Sequence, residues 1–185
     1  MAKKSQQIML DKGLIDAAAA CSILKVRAAL DYGANANFQD PQQHGWAALH
    51  FSCYFSNDKT AERICKTLLS RGALPNIQAL DGTTPLMAAA SVGSIEAVRM
   101  LIDGKADTNV PDKSGRTPLM GAADRGGMDI ALALLADGAD PNAKDCSGMG
   151  AIELAQARGH HEVAAAIERS MISSAMASRQ PRIKM

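Results

Sequence analysis

Three side chains that favour soft metals lie in one stretch of the sequence: His50, Cys53 and Cys65. Imidazole and thiolate suit zinc, but structural zinc sites space their ligands as pairs such as C-x-x-C or H-x-x-x-H. Neither pair occurs here. His160 and His161, in the run Gly159-His160-His161-Glu162, read as helix-opening and surface residues. The four cysteines, Cys21, Cys53, Cys65 and Cys146, form no CxxC pair; they fit a reducing compartment and buried structural roles. Nucleophilic and phosphate chemistry lacks its motifs: there is no G-x-S-x-G elbow, P-loop or G-x-G-x-x-G. Gly126-Gly127 reads as an interhelix turn, and Asp103, Asp137 and Asp140 as caps or solvating groups at helix ends and turns. No enzyme is expected from these residues, and no cofactor or metal.

The elements that would position any site repeat along the chain. Thr84-Pro85-Leu86-Met87 recurs 33 residues later as Thr117-Pro118-Leu119-Met120. Gly82, Gly115 and Gly148 keep the same period, as do Asn76, Asn109 and Asn142. Each Thr is expected to cap a helix through its side-chain oxygen, with Pro at the first helical position, where no donor is lost. Leu86 with Ala89 and Ala90 gives a short helix with a small-residue packing face. Ile95, Val98, Leu101 and Ile102, at spacings of three and four, give an amphipathic second helix. Gly72 and Gly138 supply the positive φ that ends such a helix. No unit of this size buries its apolar face alone, so the array must stack.

This pattern resembles the ankyrin repeat, with its T-P-L motif, first-helix Ala-Ala and closing G-A-D-x-N, over about residues 10–170. The resemblance implies an all-α repeat solenoid, an array of antiparallel helix pairs with β-hairpin loops. Register assigns units at 10–37, 38–76, 79–109, 112–142 and 145–170, between an N-terminal tail (1–9) and a C-terminal tail (171–185) whose start extends the last helix to about Ala177. The first and last units resemble caps: Lys12-Gly13 and Gly150-Ala151 stand where Thr-Pro would, and Glu153 replaces the histidine of the family pattern. That histidine survives as His50, where the resemblance implies a brace for the turn; Met87 and Met120 replace it in the middle units. Asn76, Asn109 and Asn142 take the family's turn-fixing asparagine column. Lys105 occupies a glycine column, so that turn is expected to be altered, at a cost of up to ~1 kcal/mol.

The second unit breaks the period. Asn37 to Asn76 spans 39 residues, with two extra in the hairpin loop and four between the helices, around residues 56–60; Ser56, Asn57 or Asp58 is expected to cap the second helix. Five of the six aromatics, Phe38, Trp46, Phe51, Tyr54 and Phe55, lie here; the sixth is Tyr32. The register puts Trp46, Tyr54 and Phe55 in columns that face solvent on the concave side. They either form a partner-binding patch or pack on the inserted loop and neighbouring hairpin. Tryptophan and tyrosine dominate binding hot spots. The same columns in later units offer Leu80 and Val92, then Arg116 and Arg125, then Met149 and Arg158. Used as a gradient, they call for a partner with an apolar anchor beside an acidic stretch.

Lys and Arg number 20 against 19 Asp and Glu, a net charge of +1 that gives no footprint for nucleic acid. Basic residues gather only at the two ends, at Lys3, Lys4, Arg179, Arg182 and Lys184, as solvated tails or, from 179 to 184, a short linear motif. The apolar run Leu14–Leu24 is interrupted by Asp16 and falls short of the ~20 residues of a membrane span. The first residues are not expected to act as a signal peptide, because Ser5 to Gln7 and Asp11-Lys12 break up any apolar segment. The expectation is a cytoplasmic monomer that binds a folded protein partner on its concave face as an adaptor or inhibitor, including occlusion of an enzyme's active site. The alternative is an assembly protein that self-associates through the aromatic patch.

Overall fold

The computed structural model describes residues 2–55 and 59–178. Its α-helices are α1 (Ala2–Ala19), α2 (Ile23–Asp31), α3 (Ala48–Tyr54), α4 (Lys59–Ser70), α5 (Pro85–Val92), α6 (Ile95–Asp103), α7 (Pro118–Arg125), α8 (Met128–Ala136), α9 (Ala151–Ala157) and α10 (His161–Ser178), with a 3-10 turn at Pro41–Gln43. The odd-numbered helices pack on one another in sequence to form one layer, and the even-numbered helices form the second. No strand occurs among the described residues. The loops expected as β-hairpins are instead tight turns joined by single backbone bonds: Leu80 N–H to His44 O, Lys113 N–H to Asp81 O, and Cys146 N–H to Ser114 O, at 2.8–2.9 Å.

Local chemistry sets each first helix. The hydroxyls of Thr84 and Thr117 accept the N–H groups of Met87 and Met120, and Pro85 and Pro118 follow at the first helical position. Ala47 and Gly150 have no hydroxyl. There the residue three further on reaches back instead: His50 Nδ1 accepts the N–H of Ala47 at 3.1 Å, and Glu153 Oε2 that of Gly150 at 3.0 Å. Ion pairing with Lys144 holds the Glu153 carboxyl below the usual carboxylate range. Threonine at the cap thus goes with methionine three residues on, and a capless start goes with His or Glu.

Leu49, Leu86 and Leu119, each two residues after the cap, are at most 1% exposed, with Ala89, Ala90, Ala122 and Ala123 beside them at 0%. Val98 and Leu101, Ile130 and Leu134, and Ile64 and Leu68 bring the second helices into the same core. Burial of each such side chain stabilises the array by roughly 1.5–3 kcal/mol, offset by conformational entropy. Polar side chains hold the turns that close the first four units, from within the first unit and from the preceding unit in the other three. Asp11, Asn37, Asn76 and Asn109 accept, through Oδ1, the backbone N–H of Asn35, Leu74, Asp107 and Asp140 at 2.7–2.8 Å.

Several expectations need adjusting. Helix α1 begins at Ala2, so residues read as a tail form its first turns, and Lys12-Gly13 lies inside the helix rather than at a cap. Lys105 leaves its turn unaltered: it takes φ 67 itself, and Ala106 N–H still reaches Leu101 O at 2.8 Å, matching Ala139 N–H to Leu134 O at the Gly138 turn. The caps proposed at Ser56–Asp58 and the basic segment 179–184 lie outside the described residues.

Candidate functional site

Four aromatics of the second unit, Trp46, Phe51, Tyr54 and Phe55, form one cluster on the face made by the turns and the first helices. Trp46, just before α3, stacks on the imidazole of His50 (centroids 5.5 Å apart) and meets Phe51 and Tyr54 edge-on at 5.0 and 5.5 Å. Phe55 extends the cluster through Tyr54 at 5.3 Å and Phe51 at 6.5 Å. Trp46 is partly buried, whereas Tyr54 and Phe55 are each 44% exposed. The rings therefore support one another and still present an apolar surface to solvent.

Beside the cluster lies a groove of about 260 Å³, lined by Trp46 and Tyr54, by Thr83, Met87, Ala88 and Ser91 of the third unit, and by Asp112, Arg116, Thr117 and Gly121 of the fourth. Three of the nine expected surface residues, Trp46, Tyr54 and Arg116, thus meet at one place. Leu80 is 57% exposed on its turn, packed over Gly45, while Val92 and Met149 are partly buried outside the groove. Arg125 and Arg158 are exposed but already engaged: Arg125 Nη1 donates to Ser91 O at 3.2 Å, and Arg158 Nε to Asp124 Oδ1 at 2.9 Å. Nothing in the sequence assigns Met87, Ala88, Asp112 and Gly121 to this surface.

His50 is fully buried and both its ring nitrogens are used. Nδ1 accepts from Ala47, which leaves the proton on Nε2 to donate to Thr83 O at 3.0 Å. Burial pushes its pKa below the usual 6.5. Cys53 and Cys65 are buried with their sulfurs 3.8 Å apart, and burial pushes the Cys53 thiol well up, which keeps it protonated. This chemistry is that of a brace and a core.

Residues 58–145 match a family model described as ankyrin repeats (3 copies). Residues 58–145 carry ankyrin repeats. Part of the chain is also similar to the 2-5A-dependent ribonuclease of Homo sapiens, 38% identical over 71 residues, which is 38% of this chain and 9% of that protein. The match thus spans a small fraction of the relative's length. Ankyrin repeats generally mediate protein–protein interaction and are generally non-catalytic. His50 links the second unit to the third through Thr83 O. Asn109 shows what the asparagine column does: Nδ2 donates to Gly138 O at 2.9 Å while Oδ1 accepts from Asp140. No helix among the described residues is long and apolar enough to cross a membrane.

Proposed function

We propose that the chain binds a folded protein partner on the concave face of its ankyrin array, as an adaptor or as an inhibitor that occludes an enzyme's active site. The observation that carries this reading is the aromatic cluster: Tyr54 packs against both Trp46 and Phe55, while Tyr54 and Phe55 remain 44% exposed beside an open groove. Rigid, partly exposed Trp and Tyr are the groups that contribute most at protein interfaces. Leu80, Val92 and Met149 continue the apolar surface, and Arg116, Arg125 and Arg158 give it a cationic side. A partner with an apolar anchor next to an acidic stretch complements that arrangement.

The test is affinity capture on the immobilised chain. The triple variant Trp46→Ala, Tyr54→Ala, Phe55→Ala should lose the captured protein at unchanged far-ultraviolet circular dichroism. A control variant of the second-helix layer, Arg63→Ala with Lys66→Ala, should retain it. Capture by the triple variant would overturn the reading. Light scattering should return the mass of one chain at every concentration; a mass that rises with concentration and falls in the triple variant would favour self-association through the patch instead.

A further inference from the structure

The groove owes its depth to one column of the repeat. Four residues after the cap positions Ala47, Thr84, Thr117 and Gly150 stand Phe51, Ala88, Gly121 and Leu154. Only Gly121 lacks a side chain, and neither backbone nor packing asks for glycine there. It sits inside α7 without positive φ, and a Cβ built on it would meet nothing nearer than Ser91 N at 4.0 Å. Gly82 is the contrast: its φ is 88, and a Cβ would lie 2.7 Å from Lys113 N. Glycine is the poorest helix former after proline, so Gly121 weakens α7 with no local return. What it leaves is the space of about 260 Å³ between Trp46, Tyr54, Met87 and Ala88 on one side and Arg116 on the other. That is below the ~300–1,000 Å³ of small-molecule sites and suits a single large side chain.

Charge decides what accompanies that side chain. Arg125 and Arg158 are held by Ser91 O and Asp124, whereas the guanidinium of Arg116 bonds to no described residue; only its backbone is engaged, the N–H donating to Asp112 Oδ1 and the carbonyl accepting from Asp112 N–H. Asp112, the carboxylate of the groove, also takes the N–H of Ser114 on the same oxygen. The wall therefore offers an unspent cation beside an anion already committed to the turn.

We propose that the groove is an anchor pocket for a partner segment that lays one large apolar side chain over Gly121 and sets an adjacent carboxylate against Arg116. This rests on the protein-binding reading above and names the chemistry that the partner must present.

The experiment pans a phage-displayed random-peptide library on the full chain, then measures the enriched peptides against three variants. The consensus should place an aromatic or large aliphatic residue next to Asp or Glu. Gly121→Leu should weaken binding at least tenfold while its melting temperature stays at or above that of the parent; Gly121→Gln serves the same purpose should Leu melt lower. Arg116→Gln should cost about tenfold, the worth of one charge-assisted hydrogen bond, and abolish the preference for Glu over Gln in the peptide. A consensus without a carboxylate, one with Lys or Arg in its place, or full binding by Gly121→Leu would overturn the pocket. Peptides that are lost on the Trp46/Tyr54/Phe55 triple variant but insensitive to Gly121→Leu would overturn the pocket alone and leave the surface reading standing. Enriched peptides that still bind the triple variant would overturn both.

Discussion

The imidazole of His50 spans two repeats: its Nε2 lies 3.0 Å from the carbonyl oxygen of Thr83, 33 residues further along the chain, and its other nitrogen closes the start of α3. The bond holds the third repeat's turn against the second, with the Trp46 ring stacked on the same imidazole. Position of the aromatic cluster and cohesion of the array thus share one side chain.

Because burial depresses the His50 pKa below 6.5, the unfolded chain binds a proton that the folded chain refuses. The stability from this group is present in full above about pH 6.5 and is lost as pH falls below it, at no more than ~1.4 kcal/mol per pH unit. Urea titrations between pH 7.5 and 5 should show this decline in the parent chain and a flatter profile in His50→Gln. Equal slopes in the two proteins would remove His50 as the cause.

Asn109 and Asn142 occupy the same column with different surroundings. Asn109 joins two repeats through Gly138 and Asp140, whereas the side chain of Asn142 reaches only Asp140 in its own turn. Asn109→Ala should cost roughly 1–3 kcal/mol, two hydrogen bonds at ~0.5–1.5 each, with solvent exposure favouring the lower end. Asn142→Ala should stay within about 0.5 kcal/mol of the parent. Chemical denaturation of both variants checks the order.

Lys105 and Gly138 hold equivalent turns at φ 67 and 88. A Cβ at Gly138 meets nothing within 4 Å, so Gly138→Ala isolates the backbone cost and should destabilise by about 1 kcal/mol. Lys105→Gly should move the other way by less than that, because glycine also gains freedom in the unfolded chain. Melting temperatures should therefore rank Lys105→Gly above the parent and Gly138→Ala below it.

The middle repeats were legible because their signals are local. Thr84-Pro85 and Thr117-Pro118 carry cap and first turn within a few residues, and the glycines that need positive φ announce the turns. The start of the array was not: Lys3 to Gln7 is polar and exposed, so the sequence reads as a tail, yet it continues the helix whose buried residues Leu14 and Ile15 come later. Aromatic crowding in the sequence points to Trp46, Tyr54 and Phe55, and the rings meet through Tyr54. The partners of Arg125 and Arg158 escaped notice because Ser91 and Asp124 lie 34 residues away and meet them only through stacking. Gly121 carries no signal of its own for a similar reason. Its meaning appears only when Phe51, Ala88 and Leu154 are set beside it in register.

The most direct test of the binding surface uses the chain's only tryptophan, Trp46. Acrylamide quenching of its fluorescence, measured on the free chain and on the chain with its captured partner, reads coverage of the aromatic cluster itself. Complex formation should shift the emission and lower the quenching constant severalfold. Emission and quenching identical to those of the free chain, at saturating partner, would contradict a partner seated on this face.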